Sequence, residues 1–133
     1  MAPEQSRSLY DLACAARADA YAPHSGFTVG AALTTEDDRT YTGVNIENAS
    51  YGLSICAERV AVFCAVADGA RRITAIALSG PADDVSPCGA CRQVLAEFAG
   101  DELPVTFRRG GREVTRTLGE LLPDAFRLAA PAE

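Results

Sequence analysis

The sequence has no apolar segment long enough to cross a membrane and no run of basic residues. No stretch approaches about 18 uninterrupted apolar residues, so a membrane span is not expected. Residues 1–11 are charged and lack an apolar core, so no signal peptide is expected either. The formal net charge is −6, and the basic cluster at 108–112 is followed by Glu113. Phosphate binding needs a positively charged surface, so nucleic acid is not an expected partner.

Histidine is scarce, and the cysteines do not form a plausible disulfide framework. The chain has one histidine, His24, and five cysteines. An odd number of cysteines without a secretory signal favours a reducing cytoplasm, where thiols serve packing, chemistry or metal binding. Cys14 and Cys64 lie in alanine-rich stretches with helical spacing, and both are predicted to be small core residues.

Length and periodicity predict one α/β domain over residues 1–133. A chain of 133 residues with 48% hydrophobic and 23% charged residues is ordinary for a single globular domain. The predicted helices span 6–21, 56–68, 89–98 and 118–122, and the predicted strands span 27–33, 40–44, 73–78, 104–108 and 113–117. Gly110-Gly111 is a two-residue hairpin signal. This order of elements favours helices on both faces of one sheet.

Three cysteines stand at the starts of two predicted helices. Cys56 opens the segment Cys-Ala-Glu-Arg, and Cys88 and Cys91 belong to Pro-Cys-Gly-Ala-Cys. A catalytic zinc ion has three protein ligands and one open position, which these three thiolates would satisfy. Glu58 could reach the open side and act as general acid and base. Three thiolates give zinc a net charge of −1, and Arg59, on the same helix face as Cys56, could donate to sulfur and offset it.

Each of these residues also has an ordinary interpretation. A lone Cys-x-x-Cys is weak evidence, because it also occurs in redox-active and structural zinc sites. Glu58 alone would be a carboxylate favoured by the helix dipole, and Arg59 alone a solvated surface residue. A structural zinc site normally needs a fourth ligand, here from His24, Cys14 or Cys64. A redox site would leave Cys56 and Glu58 without a role, so the combination favours a catalytic zinc site.

The chain resembles the small homotetrameric cytidine deaminases from about residue 10 to 126. The resemblance rests on Cys-Ala-Glu-Arg at 56–59, Ser-Pro-Cys-Gly-Ala-Cys-Arg-Gln at 86–93 and Gly-Val-Asn-Ile-Glu-Asn-Ala-Ser-Tyr at 43–51. It implies a three-layer α/β/α sandwich around a mixed five-stranded sheet. It also implies one zinc ion per chain, deamination of cytidine and deoxycytidine in pyrimidine salvage, and a cytoplasmic homotetramer. Blasticidin S deaminase shares both cysteine motifs and is the alternative.

The resemblance also implies a role for individual residues. Cys56, Cys88 and Cys91 match the zinc ligands, and Glu58 matches the proton shuttle. Phe27 matches the ring beside the pyrimidine, Ala57 a substrate contact, and Asn45 and Glu47 the pair that binds the ribose hydroxyls. Gln93 matches a residue that supports the zinc cysteines, and Ala49, Tyr51 and Phe126 match residues that serve a neighbouring subunit. The ribose pair and the Leu-Pro-x-x-Phe segment that ends at Phe126 favour cytidine over blasticidin S.

Two positions depart from the family pattern. His24 stands where the family often has tyrosine, and Arg127-Leu128 follow Phe126 where the family usually has Gly-Pro. A metal ligand or pH switch is one interpretation of His24, and a loop side chain that replaces tyrosine is the favoured one. Asn45 and Glu47 alternate along a strand end and so face one way. Without the motif they would be interpreted as solvent-facing.

Overall fold

Five strands form one mixed sheet in this computed structural model, which describes residues 8–128. The strands are β1 (Gly30–Thr35), β2 (Thr40–Val44), β3 (Ile73–Ser79), β4 (Pro104–Arg109) and β5 (Arg112–Thr117). Their order across the sheet is β2-β1-β3-β4-β5. Neighbouring strands are antiparallel except β3 and β4, which are parallel. The sheet is therefore mixed and five-stranded, as the family resemblance implied.

Four helices cover the two faces of this sheet. They are α1 (Leu9–Ala16), α2 (Ala57–Ala67), α3 (Gly89–Phe98) and α4 (Leu118–Leu121). Ala13 of α1 packs against Ala32 and Ala77 on one face. The opposite face carries the larger core, which α2, α3 and α4 form together with buried side chains of β1, β3 and β4. The predicted three-layer arrangement is confirmed, and none of the helices within 8–128 is long and apolar enough to cross a membrane.

The first helix is shorter than predicted. It begins at the N-cap Ser8, whose hydroxyl accepts from the N–H of Asp11 while the Asp11 carboxylate accepts from the N–H of Ser8. After Ala16 the chain tightens into a 3-10 turn at Arg17–Asp19. The predicted helix of 6–21 thus contains an α-helix and a turn, and its residues 6 and 7 lie outside the described part of the chain.

The prediction that Cys14 and Cys64 are core residues is wrong. Both side chains are exposed. The sheet-facing side of α1 is occupied by Ala13, and α2 turns Ala61 and Ala65 into the core. The thiol of Cys14 still donates to the hydroxyl of the buried Ser79 in β3 at 3.2 Å, so it lies at the edge of the contact between α1 and the sheet. An alanine-rich composition does not by itself indicate which face of a helix is buried.

A glycine brings the start of α2 directly against the sheet. Gly43 of β2 is buried, and a Cβ at this position would lie 2.4 Å from the main-chain nitrogen of Ala61 and 2.6 Å from the carbonyl oxygen of Ala57. Only glycine permits an approach this close, because any side chain would push the helix away. The N-terminus of α2, with Cys56 and Glu58, is therefore fixed relative to β2 and the residues that follow it.

The predicted hairpin at Gly110-Gly111 is confirmed and holds the loop that precedes α3. Both glycines have positive φ, 60° and 75°, as a tight turn between β4 and β5 requires. The Gly110 N–H donates to Asp84 Oδ1 at 2.6 Å, and the Val85 N–H donates to the carbonyl of Arg108 at 3.0 Å. The segment that leads to Cys88 is thus attached to the sheet.

Candidate active site and metal centre

The N-termini of α2 and α3 bring three thiols together. Cys56 is the N-cap of α2, and Cys88 is the N-cap of α3, where its sulfur accepts the N–H of Cys91 at 3.4 Å. Both N-cap residues have extended backbone, which turns their side chains toward the helix ends. The positive ends of two helix dipoles therefore face the sulfurs and favour their thiolate forms.

The thiols of Cys56, Cys88 and Cys91 have the separations that a single zinc ion requires. Their Sγ atoms all lie within 4.8 Å of one another. The Cys56–Cys88 distance is 3.8 Å, and the Cys88–Cys91 distance is 3.3 Å. Two sulfurs placed tetrahedrally at about 2.3 Å from zinc would be about 3.8 Å apart. The donor chemistry and the spacing of the three residues both fit zinc, and a three-ligand set leaves one position for a reactant.

Arg59 donates to one of these sulfurs. Its Nη2 lies 3.4 Å from Cys56 Sγ, one helical turn away, as the i to i+3 spacing predicted. Hydrogen bonding from Cys91, together with the Arg59 guanidinium, lowers the pKa of Cys56 to about 5. The same contact with Cys56, added to burial, raises the pKa of Cys91. The cluster thus has a thiolate at Cys56 that a cation stabilises directly.

Glu58 is a buried carboxyl group beside the thiols. Only 4% of the residue is exposed, and it lines the same cavity as Cys56 and Cys88. Because Cys56 is the N-cap and not part of the regular helix, the two side chains can point to one place although they are two positions apart. Burial raises the pKa of Glu58, and the charge of Cys56 raises it further. A buried carboxyl group with a raised pKa, placed beside the thiols, is suited to act as a general acid and base.

A cavity of about 310 Å³ opens beside the thiols and Glu58. Its lining includes the predicted substrate contacts Phe27, Asn45, Glu47 and Ala57. Residues that the sequence analysis did not select complete the wall: Ser25, Val29, Ser54, Ile55, Leu78, Val85 and Ser86. The volume suits one small ligand, and the apolar wall with few polar groups is typical of a small-molecule site.

Hydrogen bonds hold the two predicted ribose-binding side chains in place. Asn45 Nδ2 donates to the carbonyl of Phe27 at 2.8 Å, and Asn45 Oδ1 accepts from the N–H of Val29 at 2.9 Å. Glu47 accepts from the N–H groups of His24 and Ser25 and from the Ser25 hydroxyl. The Ser25 hydroxyl lowers the pKa of Glu47, and the two N–H groups add to this effect. Glu47 is therefore an ionised and oriented acceptor in the cavity wall.

The remaining predicted residues lie outside this cavity. Tyr51 is 79% exposed and Phe126 is 68% exposed, and Ala49 is also exposed. The edge of the His24 ring meets the Tyr51 ring at 6.2 Å between centroids. Among residues 8–128, the candidate metal cluster comprises the three cysteines and not His24. The structure thus places His24 as a loop side chain, in line with the favoured interpretation.

Gln93 has a contact that the sequence did not predict. Its Nε2 donates to the main-chain carbonyl of Phe126 at 2.8 Å, and this bond ties the C-terminal segment to α3. Arg127 adds to that attachment, because its guanidinium donates to the carbonyls of Ala96 and Ala99 at the end of α3. Arg127 therefore anchors the segment where the family usually has Gly-Pro.

Comparisons with known proteins identify the family of this chain. The family model for the cytidine and deoxycytidylate deaminase zinc-binding region matches residues 3–106. A cytidine deaminase from Sporosarcina psychrophila is 52% identical over 114 residues, which cover 84% of this chain and 83% of that protein. The crystal structure of a cytidine deaminase from Burkholderia pseudomallei aligns with a TM-score of 0.84 and 47% identity, covering 95% of this chain and 100% of that chain.

A second substrate class is represented at lower similarity. A blasticidin-S deaminase from Bacillus cereus is 34% identical over 104 residues, which cover 71% of this chain and 74% of that protein. The family resemblance inferred from the cysteine motifs is thus confirmed, and the cytidine branch is the more similar one. The chain belongs to the cytidine and deoxycytidylate deaminase family.

Proposed function

We propose that this chain catalyses the zinc-dependent hydrolytic deamination of cytidine, and of deoxycytidine, to the uracil nucleoside and ammonia. The observation that carries this proposal is a cluster of three thiols at one nucleoside-sized cavity, which Cys56, Cys88 and the buried carboxyl group of Glu58 line. The cytidine deaminases at 52% and 47% identity support the same reaction. A single domain over 1–133 is part of this proposal, because the three thiols, Glu58 and the cavity lie together among the described residues.

The cavity offers complementary partners to the two parts of a nucleoside. The ring of Phe27 lies in the apolar wall, where it can pack against a pyrimidine. Asn45 Nδ2 uses one N–H for Phe27 and retains a second, while Glu47 retains a free acceptor position. A sugar hydroxyl both accepts and donates, so it satisfies such a pair. Ala57, whose side chain is fully buried, contributes a small surface beside the base.

Cys56, Cys88 and Cys91 are the residues that would hold zinc. When bound, zinc supplies Lewis acidity that lowers the pKa of water, so that a nucleophile is available near neutral pH. Glu58 takes one proton from the attacking water and delivers it to N3 of the pyrimidine as the oxygen bonds to C4. Glu58 then carries the second water proton to the exocyclic amine, the C4–N bond breaks, and ammonia leaves.

Arg59 is expected to tune the metal site through Cys56. Replacing it with glutamine removes the cation beside a thiolate but leaves all three ligands in place. Zinc should be retained while turnover falls about 10- to 100-fold, the usual cost of losing a residue that supports a metal ligand. Arg59→Lys should recover part of the loss, because an ammonium group supplies the charge without the planar fork. Zinc content and kcat are the measurements.

The matched control for this experiment is Arg116→Gln. Arg116 is exposed on the edge strand β5 and does not line the cavity, so its replacement should change neither zinc content nor kcat. Wild-type kcat in Arg59→Gln would mean that the helix dipoles alone offset the charge of the three thiolates.

We also propose that the protein is a homotetramer. Support comes from an apolar groove on the described chain, lined by Ile46, Leu53, Ile55, Val60, Phe63, Cys64 and Ala67 together with the polar Glu47 and Asn48. Phe63 lines this groove and is 48% exposed, and exposed apolar patches commonly mark contact surfaces. In this assembly Ala49, Tyr51 and Phe126 would complete the cavity of a neighbouring subunit.

Light scattering on the purified protein should give about four times the chain mass of 13.9 kDa. Phe63→Asp places a charge in the apolar groove, so this variant should dissociate into smaller species with reduced turnover. A fully active monomer would contradict the proposed assembly.

A substrate panel tests the proposed reaction against its alternatives. Absorbance assays with cytidine, deoxycytidine and blasticidin S should show the highest kcat/KM for the cytidine nucleosides. A preference for blasticidin S would favour the other substrate class. A protein that holds zinc but turns over none of the three would be a structural zinc module, and rapid disulfide exchange at Cys88 and Cys91 would indicate a redox enzyme.

The reaction fits a role in pyrimidine salvage in the cytoplasm, with a free nucleoside as the partner. The acidic chain, with a formal net charge of −6, suits an uncharged nucleoside better than a nucleic-acid backbone. Neither nucleic acid nor a membrane is proposed as a partner.

A further inference from the structure

Three donors from one turn converge on the carboxylate of Glu47. The main-chain N–H groups of His24 and Ser25 donate to Oε1 at 2.9 and 3.1 Å. The Ser25 hydroxyl donates to the other oxygen, Oε2. A carboxylate has about four acceptor positions, so three are used and one remains, on Oε2. Oε2, which has the free acceptor position, is thus the oxygen that accepts from the Ser25 hydroxyl.

The same hydroxyl also contacts the residue that faces the base. Ser25 Oγ accepts from the N–H of Phe27 at 3.0 Å. The carbonyl of Phe27 is held independently by Asn45 Nδ2. Without the serine hydroxyl, Phe27 would keep the hydrogen bond from Asn45 to its carbonyl and lose the one from its N–H. Glu47 Oε2 would lose the hydrogen bond that it accepts from Ser25. The main consequence of removing the hydroxyl falls on Glu47.

Because Ser25 and Glu47 meet in the cavity wall, their hydrogen bond can affect ligand binding as well as the turn. Ser25, Phe27 and Glu47 all line the cavity beside the thiols. The hydroxyl fixes the direction in which the free lone pair of Oε2 points, and only a correctly directed acceptor can bind a ligand hydroxyl well.

We infer that Ser25 is a positioning residue for nucleoside binding, which orients the Glu47 carboxylate toward a sugar hydroxyl. This inference rests on the proposed function. Glu47 contacts the sugar and not the reacting atoms, so its hydrogen bond has the same strength in the ground and transition states. A Glu47 carboxylate that no longer points at the sugar hydroxyl should therefore raise KM and leave kcat nearly unchanged.

The test compares Ser25→Ala with the wild type on two ligands. KM for cytidine should rise about three- to tenfold, because Glu47 keeps two main-chain donors and loses the third, while kcat stays within about twofold. The competitor 2′,3′-dideoxycytidine lacks both sugar hydroxyls, so its inhibition constant should change by less than about twofold. Ser25→Thr keeps the hydroxyl and should restore the KM for cytidine. Ser25→Ala should add little further loss in a Glu47→Gln background.

The matched control is Ser8→Ala. Ser8 is an exposed serine whose hydroxyl accepts from the N–H of Asp11 at the start of α1, outside the cavity lining, so KM should not change. An unchanged cytidine KM in Ser25→Ala would overturn the inference. Equal losses for cytidine and the dideoxy compound would also overturn it, because Ser25 would then act through Phe27 or the fold. Absence of cytidine turnover by the unmodified protein would instead contradict the proposed function.

Discussion

Glu58→Gln is expected to retain the fold and the zinc and to lose nearly all turnover. Glutamine has the shape of glutamate and fills the same buried position, but it cannot take up a proton and return it. Proton transfer by a positioned side chain contributes about 10²–10⁴-fold, and Glu58 would serve more than one transfer, so the loss in kcat should reach or exceed that range. Measurement of kcat, zinc content and thermal unfolding would separate a chemical defect from a structural one.

Glu97→Gln provides the control for this variant. Glu97 is exposed on α3 and does not line the cavity, so the same substitution there should leave kcat unchanged. Near-normal turnover in Glu58→Gln would remove this residue from the reaction, and its burial beside the thiols would then need another explanation.

The second large effect is expected from Cys88→Ala. This variant removes one of three thiols that lie within 4.8 Å of one another, and it also removes the sulfur that caps α3. Two remaining ligands cannot hold zinc tightly, so the zinc content should fall from about one ion per chain to near zero and turnover should fall with it. Atomic absorption on the dialysed protein gives the metal content directly.

Two further variants separate loss of a ligand from loss of a cysteine. Cys14→Ala removes an exposed thiol on α1, outside the cluster, and should retain both zinc and activity. Cys56→His should still bind zinc, because zinc deaminases use either histidine or cysteine at the first ligand position. A Cys88→Ala protein that keeps a full complement of zinc would mean that the metal is held elsewhere.

The site could be predicted largely because its residues are clustered in sequence. Cys56 and Glu58 are two positions apart, Cys88 and Cys91 three, and each pair opens a helix. Helix starts are among the places where a short motif determines geometry, because the N-cap backbone is extended and points its side chain at the free N–H groups. The distance between the two motifs depends on the sheet, and only the structure provides it.

The strand that begins at Gly30 shows why other boundaries were missed. The predicted strand, 27–33, starts three residues early, since the apolar sequence of Phe27 and its neighbours is typical of a strand. In this segment side chains take the place of a regular strand ladder as hydrogen-bond partners of the main chain. Ser25 Oγ accepts from the N–H of Phe27, and the Asn45 amide bonds to the carbonyl of Phe27 and the N–H of Val29. The Asn45 contacts span 16 and 18 positions, and contacts this distant in sequence are invisible to local periodicity.

The partners of Glu47 and Gln93 were missed for a similar reason. Ser25 directly follows His24 in the sequence, yet its contact with Glu47 spans 22 residues. Gln93 lies in the same motif as Cys88 and Cys91, but its amide donates to the carbonyl of Phe126, 33 residues away. A motif identifies residues that act together and does not specify which atom each one contacts.

The most direct test of hydrolytic deamination is the reaction of cytidine in water labelled with oxygen-18. The zinc-loaded protein should convert cytidine to uridine that carries one oxygen-18 atom at C4, with one ammonia released for each uridine formed. Mass spectrometry of the nucleoside measures both the conversion and the label. Unchanged cytidine, or uridine without the label, would contradict the account.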